Sequence, residues 1–542
     1  MRRALASLLT LGLLGVFLFT IVLGLMVFFG AVNVGAAIAL VVALNLLVLA
    51  LGPRLNDFIY GFLYDVEWVT LSEFRQRSPA SADVIEEVTA EHGYTVPKLG
   101  VIPDRNPTAF TYGSGRFNGR VVVTEGCFEF LDDEEVAAVV AHELGHVTSR
   151  DFVIMTIANT IVQVLYLIAV YAFRFAGGGR GRSAAPLFVV GALAYVFWFV
   201  GEFAVLFLSR VREYAADGFA AEYTHPDHLS KALVKIAYGF LLSGESPELE
   251  QATRNLGIMN VEQSKDEGVV YHNSREAGDF DALMRSFQFD LENPWARLSE
   301  LRSTHPLTGK RVRRLSRMEG ASRFDFEDIR ERYPVDRSRL YREFVRDVAV
   351  LALPVGLAVL FPLGYFGAVV LADWPLSLSV LAGGWLLAIA VGLAAKAHYR
   401  YPLGGEPETV TVAGLLGDMY ASPVDGRLVA LDGELIGRGQ AGFNLGSDVM
   451  FRDETGLMYI QYESWVPVLG NLFFAVARVP ELVGEAVEIE GWYLRSTTPW
   501  VGMRRLATDD DAFGGYVHVG GYVLAALLAV GGVIVLALGA VL

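Results

Sequence analysis

The stretch "VVAHELGHVTSRD", Val139 to Asp151, runs straight into an apolar segment. It is preceded by "LDDEEVAA", carboxylates followed by helix formers, and reads as the end of a helix whose N-terminal acids suit the macrodipole. Residues four apart on a helix project from one face, a turn apart. His142 and His146 can therefore aim two imidazoles at one point, with Glu143 beside it, next to the place where the chain enters an apolar run.

Working outward, seven runs are long and apolar enough to cross a bilayer, which takes ~20 residues: roughly 4–29, 32–52, 152–175, 186–209, 347–371, 374–396 and 516–541. Of the 542 residues, 53% are hydrophobic, more than an ordinary soluble domain carries. The first run is longer than the ~7–15 residues of a signal core, shows no small-residue cleavage site and is followed at once by a second span. The expected fold is an α-helical integral membrane protein of about seven spans, with a zincin-type α+β domain in the cytoplasm and a small C-terminal β-domain.

The boundaries follow from these runs. Residues 1–52 carry two spans, 53–151 the first half of the zincin domain and 152–209 two further spans. Residues 210–346 form its second half, 347–396 another pair of spans, 397–515 the β-rich domain and 516–542 the last span. Lys and Arg near span ends set orientation. Arg2, Arg3, Arg54, Arg210, Arg212, Arg342, Arg346, Lys396 and Arg400 favour a cytoplasmic N-terminus, with all three large polar segments inside; Arg174, Arg180 and Arg182 oppose it. The formal charge of −16, with no clustered basic face, excludes nucleic acid as an expected partner. The single cysteine, Cys127, excludes internal disulfides, suits a reducing compartment and reads as a small buried apolar residue.

Within 53–151, "SADVIEEVTAEHG" reads as a helix with Ser81 as cap and Gly93 as stop. The following "VPKLGVIPDRNPTAFTYGSGRFNGRVVVTEGCFEFL" is rich in β-formers and Gly and predicts a short antiparallel sheet. In the C-terminal segment "GRLVALDGELIGRG" and "EAVEIEGWYLRS" echo each other, and "VMFRDETGLMYIQYES" reads as a hairpin turning at Glu454–Gly456. Short strands with such turns suggest a small β-barrel, OB-like in kind. "WVPVLGNLFFAVARVP" interrupts it and is short for a span, so it reads as an amphipathic or interfacial insert.

His142, Glu143 and His146 form the H-E-x-x-H arrangement of zinc metalloproteases. A catalytic zinc needs a third protein ligand and an open position. No "HxxGxxH" continuation follows His146, so the ligand lies elsewhere. In "SRVREYAADGFAAEYTHPDH", Glu213 and Asp217 sit four apart: one carboxylate can bind zinc while the other fixes the tautomer of a ligand histidine. His225 and His228 are rivals for the third ligand. Glu202, inside the fourth span and three turns before Glu213, either lines a wet route or pairs with another polar residue.

"NPTAFTYG", "VVAHELGHVTSRD", "SRVREYAAD" and "STHPLTGKRVRRL" occur in this order, with two spans between the second and third. The set resembles the HtpX family of membrane-embedded zinc endopeptidases, relatives of the CAAX prenyl proteases, over about residues 1–320. The resemblance implies one catalytic Zn²⁺ held by His142, His146 and Glu213, Glu143 as base, and Asp217 behind a ligand. It also implies an edge strand at Ala109–Tyr112 lining the cleft, and His305 and Pro306 near the site. Leu307 stands where many relatives carry a second proline, which leaves the histidine in place.

The mechanism so implied is zinc-assisted hydrolysis of polypeptides, membrane proteins foremost, in a multi-pass protein of the cell membrane. His305 either donates to the developing oxyanion or caps the following helix. Substrate would add a strand beside Ala109–Tyr112, with Phe110 and Tyr112 either lining a side-chain pocket or packing under the sheet. A CAAX-type processing protease is the runner-up. A non-catalytic scaffold with structural zinc and a partner-binding β-domain is the alternative outside the enzymes. Oligomeric state is not legible in the residues.

Overall fold

The computed structural model describes residues 33–178, 184–243, 281–372, 374–438, 446–495 and 499–541. The apolar run 4–29 and the arginines Arg2, Arg3, Arg180 and Arg182 lie outside them. Among the described residues, six helices are long and apolar enough to cross a membrane. They are α1 (Val34–Leu63), α6 (Asp151–Gly178), α7 (Ala184–Tyr223), α10 (Arg337–Leu371), α11 (Leu378–Arg400) and α12 (Val519–Val541). The chain divides into two compact units: Met1–Ser264 with Glu300–Asp325, and Lys265–Ser299 with Phe326–Leu542.

In the first unit α6 packs against both α1 and α7. Asn45 of α1 donates to Gln163 Oε1 of α6 at 2.8 Å, satisfying two polar side chains that lipid could not. Glu202 accepts from Trp198 Nε1 at 3.1 Å, one turn back on α7, so it pairs locally. Helix α7 spans 40 residues, about 60 Å at 1.5 Å per residue. Hydrocarbon takes up ~30 Å of that, so α7 leaves the apolar zone well before it ends.

Its soluble part is built on a four-stranded sheet of order β1-β2-β4-β3: β1 (Glu67–Val69), β2 (Lys98–Ile102), β3 (Ala109–Gly113) and β4 (Gly119–Thr124). The sheet is mixed, not antiparallel throughout: β2 and β4 run parallel, with Lys98 opposite Arg120, while β3 pairs antiparallel to β4. The β3–β4 hairpin folds back so that β4, not β3, lies against β2. This leaves β3 at the sheet edge.

Helices α2 (Leu71–Arg77) and α3 (Pro79–His92) precede β2. The cap of α3 is Ser78, whose hydroxyl accepts from Ser81 N, with Pro79 at the first turn. Ser81, expected as the cap, lies inside the helix because Pro79 starts it two residues earlier. The stop falls at Gly93, in the left-handed conformation.

After β4 come α4 (Glu125–Phe130) and α5 (Asp133–Thr148), the H-E-x-x-H helix. The first turn of α5 holds Asp133, Glu134 and Glu135, and Asp132 N donates to Glu135 Oε2 at 2.9 Å, a partial closure of the exposed helix end. Helix α5 packs against α3, β3, α7 and α8 (Pro226–Ser243), and from Glu135 to Thr148 every residue is buried.

In the second unit five strands close a ring. They are β6 (Arg427–Arg438), β7 (Val449–Arg452), β8 (Leu457–Gln461), β10 (Pro499–Ala507) and β9 (Ala486–Arg495), which returns to β6. Only β8 and β10 pair in parallel within this ring. β7 and β8 form the expected hairpin, closed by Asp453 N donating to Gly456 O at 2.9 Å. Short strands β5 (Glu408–Thr409) and β11 (Ala512–Gly514) pair at its margins. Helix α9 (Asp281–Glu292) seats on the barrel, where the Arg495 guanidinium lies 3.6 Å from the Phe289 ring centre.

Asp347 of α10 is buried and accepts from Tyr399 of α11, from Ser422 Oγ at 2.6 Å and from Trp295 Nε1 at 3.1 Å, tying spans and barrel together. Helices α11 and α12 pack closely: a Cβ on Gly383 would meet the Gly532 carbonyl oxygen at 2.8 Å. Such close approach of backbones is how helices associate in lipid, where burial alone gives no gain.

Candidate active site

The end of α5 and the end of α7 cross where the first leaves the soluble core and the second emerges from the apolar zone. Gly145 makes the crossing possible: a Cβ there would stand 3.2 Å from Ala216 Cα and 3.3 Å from the Phe219 side chain. The crossing brings Glu213 to the two histidines. His142 Nε2 and His146 Nε2 are 3.3 Å apart; the first lies 3.5 Å from Glu213 Oε2 and the second 3.5 Å from Glu213 Oε1. Three donors around a tetrahedral ion, each about 2.0–2.1 Å from it, are separated by about 3.3–3.5 Å. Among the described residues, His142, His146 and Glu213 are the one group of His, Cys, Asp and Glu placed to hold a metal ion.

The opposite ring nitrogens explain why both Nε2 atoms face inward as acceptors. His146 Nδ1 lies 2.6 Å from Asp151 Oδ2, and His142 Nδ1 lies 3.1 Å from Asp217 Oδ1. A carboxylate at Nδ1 keeps the proton there and leaves Nε2 as a lone pair. Two ring nitrogens and a carboxylate thus converge on one point, and Glu213 Oε2 is buried with no hydrogen-bond partner. The donor set fits a divalent ion.

The charges agree. Asp217 receives a bidentate pair from Arg311, at 3.0 and 2.6 Å, and Asp151 an ion pair from Arg212 at 2.8 Å. Asp151, Glu213 and Asp217 thus face two arginines, an excess of one negative charge before Glu143 is counted. Burial alone would keep His142 neutral, but Asp217 and Glu213 outweigh it and raise its pKa to about 9, the mark of a pocket built for positive charge.

Glu143 is buried beside the cluster with Oε2 unpartnered, and burial pushes its carboxyl up to about 7 against the pull of both histidines. Cys127 is buried as the sequence implied, and its thiol is pushed up to about 12 by burial.

His305 closes the site, its Nε2 3.7 Å from Glu213 Oε2 and its Nδ1 3.0 Å from Thr304 Oγ1. Burial lowers its pKa although Glu213 opposes this, so the ring is neutral and offers one N–H. It sits ahead of helix Thr308–Leu315, whose N-cap is Leu307. The loop carrying it is held by Arg210, which donates to the carbonyls of Glu300 and Ser303, both at 2.8 Å.

His225 and His228 do not join the cluster. His225 Nδ1 accepts from Asp227 N, and the two rings lie 5.4 Å apart. Phe110 and Tyr112 do not line an open pocket. Both pack under the sheet against Tyr60 of α1, at 5.1 and 5.5 Å between ring centres, in a cluster with Val66, Ile102 and Val122. Full burial of such side chains stabilises by ~1.5–3 kcal/mol each, which is their use here. Tyr112 also donates to Asp57 at 2.9 Å.

Sequence reasoning missed Asp151, Arg212 and Arg311. Asp151 ends the quoted stretch, Arg212 precedes Glu213, and Arg311 lies in "STHPLTGKRVRRL", so the residues were in view without their partners.

Residues 75–319 match the model of Peptidase family M48. A Protease HtpX homolog of a Sulfurovum species is 31% identical over 263 residues, covering 47% of this chain and 83% of the relative. One of Pyrobaculum calidifontis is 30% identical over 287 residues, 52% of this chain and 76% of the relative. One of Methanothermobacter thermautotrophicus is 33% identical over 160 residues, 29% and 59%. The spans, the cluster beside them and this likeness have one reading: the chain belongs to the HtpX-like M48 peptidases, membrane-bound metalloproteases.

Proposed function

We propose that the chain cleaves internal peptide bonds of membrane proteins that have lost their fold, using one zinc ion held by His142, His146 and Glu213. The observation that carries this is the convergence of two imidazole Nε2 atoms and one carboxylate at tetrahedral spacing, with the free carboxyl of Glu143 alongside. A bound zinc supplies Lewis acidity to the scissile carbonyl and to water. Glu143 takes the proton of the attacking water and returns it to the leaving amine. His305 donates from Nε2 to the oxygen that gains charge. Asp151 and Asp217 hold the ligand rings in place, and Arg212 and Arg311 hold the aspartates.

The free edge of β3 supports main-chain pairing with an extended substrate, a mode tolerant of sequence. Because Phe110 and Tyr112 point into the core, pairing with substrate rests on the backbone of Ala109–Tyr112. The balance of Lys and Arg at span ends, with Arg174, Arg180 and Arg182 opposing it, supports a cytoplasmic location for the polar segments. The closed ring of β6 to β10 we read as OB-like.

The test is digestion of an unfolded membrane protein by the full-length protein in liposomes, with fragments read by mass spectrometry. Many internal cuts, abolished by chelation and restored by zinc, are expected. Cleavage confined to prenylated C-terminal peptides would overturn the quality-control reading in favour of a processing protease.

Asp151→Ala frees the His146 ring and is expected to lower zinc affinity about 10–100-fold, measured by competition with a chromophoric chelator. An unchanged affinity would remove Asp151 from the site.

A further inference from the structure

The segment between β8 and β9 folds as helix Pro467–Phe473, a π-helical turn Phe474–Arg478 and a last turn Val479–Leu482. From Ser464 to Ala477 it carries no charged residue. Its side chains divide sharply. Phe474, Ala475, Val479 and Leu482 are buried on the barrel, and Phe474 stacks on Tyr462. Trp465, Val468, Leu469 and Phe473 point away from it and are 66%, 80%, 71% and 64% exposed. The exposed face is not a frayed end, because Arg438 Nη2 donates to Ala475 O at 2.6 Å and Ser464 N to Asn471 Oδ1 at 2.7 Å. An apolar face held this rigidly towards solvent marks an interaction site.

Its position says what covers it. Tyr516 N donates to Glu463 O at 2.7 Å, and the Trp465 ring meets the Tyr516 ring edge-on at 5.7 Å. Three residues later α12 begins at Val519, whose N–H bonds back to Tyr516 O. The neighbouring end of α11 carries Arg400 and Tyr401, with Arg400 against Trp500 and Tyr401 against Trp492. Aromatic and basic residues at span ends mark the membrane–water boundary. The insert therefore lies level with that boundary in every copy of the molecule.

We infer that residues 464–477 lie in the plane of the same bilayer the spans cross, with Trp465, Val468, Leu469 and Phe473 sunk into the boundary between headgroups and acyl chains. The barrel is thereby held to the membrane at a second point besides the feet of α11 and α12. Charge defines the lipid surface. The insert's one cation, Arg478, is paired with Glu481 at 3.1 Å, so its apolar face needs no anionic headgroup and zwitterionic lipid suffices.

The test uses the full-length protein in phosphatidylcholine liposomes, with an environment-sensitive fluorophore on Leu469→Cys, Phe473→Cys or, as reference, Glu454→Cys at the exposed β7–β8 turn. The wild type, whose Cys127 is buried, gives the background. Lipids spin-labelled high on the acyl chain are expected to quench the labels at 469 and 473 about two-fold or more, consistent with a depth of ~5–10 Å. Aqueous iodide is expected to quench only the label at 454. Adding Val468→Asp to the Phe473→Cys protein should move its label towards the behaviour of the reference. Iodide quenching at 469 and 473 equal to that at 454 would overturn the inference. So would labels shielded from both quenchers, which would assign the face to a protein partner or a second copy.

Discussion

Glu143→Gln lowers kcat/KM by about 10²–10⁴-fold, the range for loss of a positioned acid–base group, and leaves the zinc content unchanged. The amide keeps the shape of the side chain and cannot accept the proton of water. The same substitution stabilises the chelated protein, with a sign that follows from burial. The folded-state carboxyl titrates near 7 against an ordinary value of 4.5. The folded protein therefore holds a proton that the unfolded chain has released, and stability falls as pH rises from about 4.5 through about 7. Above that window the wild type bears a cost that Gln lacks, of up to about 3 kcal/mol. Thermal unfolding of both proteins in chelator at pH 5 and pH 8 measures it: nearly equal at the lower pH, the variant higher at the upper. A variant that still cleaves at the wild-type rate, or that loses its metal, sinks the assignment of Glu143 as base.

Arg311→Met is the second large effect, on stability before activity. Arg311 and Asp217 are both buried and joined by two hydrogen bonds. Removing the guanidinium leaves a carboxylate in the interior with only His142 Nδ1 beside it. Breaking such a pair typically costs about 3–5 kcal/mol, more than the pair itself contributes, because one charge is left behind. The double variant Arg311→Met with Asp217→Asn removes both charges and is expected to recover much of that loss. Its metal affinity stays low, since an amide holds the His142 tautomer less firmly. Denaturation of the three proteins in one detergent is the measurement. A single variant within about 1 kcal/mol of wild type would show that Arg311 does not neutralise Asp217.

The α5 helix and its histidines were legible because their signal is local: spacing of four on a helix with acids at its start. Glu213 and Asp217 were legible as a pair for the same reason, although choosing Glu213 over Asp217 as the ligand needed a family likeness. Asp151 was not, because it reaches His146 through a break in regular structure. Arg150 takes a left-handed backbone, φ 56°, and turns the chain so that α6 starts back towards the end of α5. Arg311 sits 94 residues from Asp217, and no spacing rule spans that interval. The sheet misled for a related reason: alternation reveals strands but not their order, and β4 lies between β2 and β3. Alternation does put Phe110 and Tyr112 on one face. That the face is filled by Tyr60 of α1 is a tertiary fact.

The 40-residue helix that ends beyond Glu213 also has a mechanical meaning. Glu213 rides on the same stiff rod as Phe188 and Phe197, which face outward where acyl chains would lie. A membrane thinner or thicker than the apolar length of a span is met partly by tilting it. Tilting a rod by about 5° moves a point about 20 Å from its pivot by nearly 2 Å, as much as a metal–ligand bond is long. The lever that crosses the apolar zone thus ends at the cluster, and a change in its tilt is carried directly to the Glu213 carboxylate.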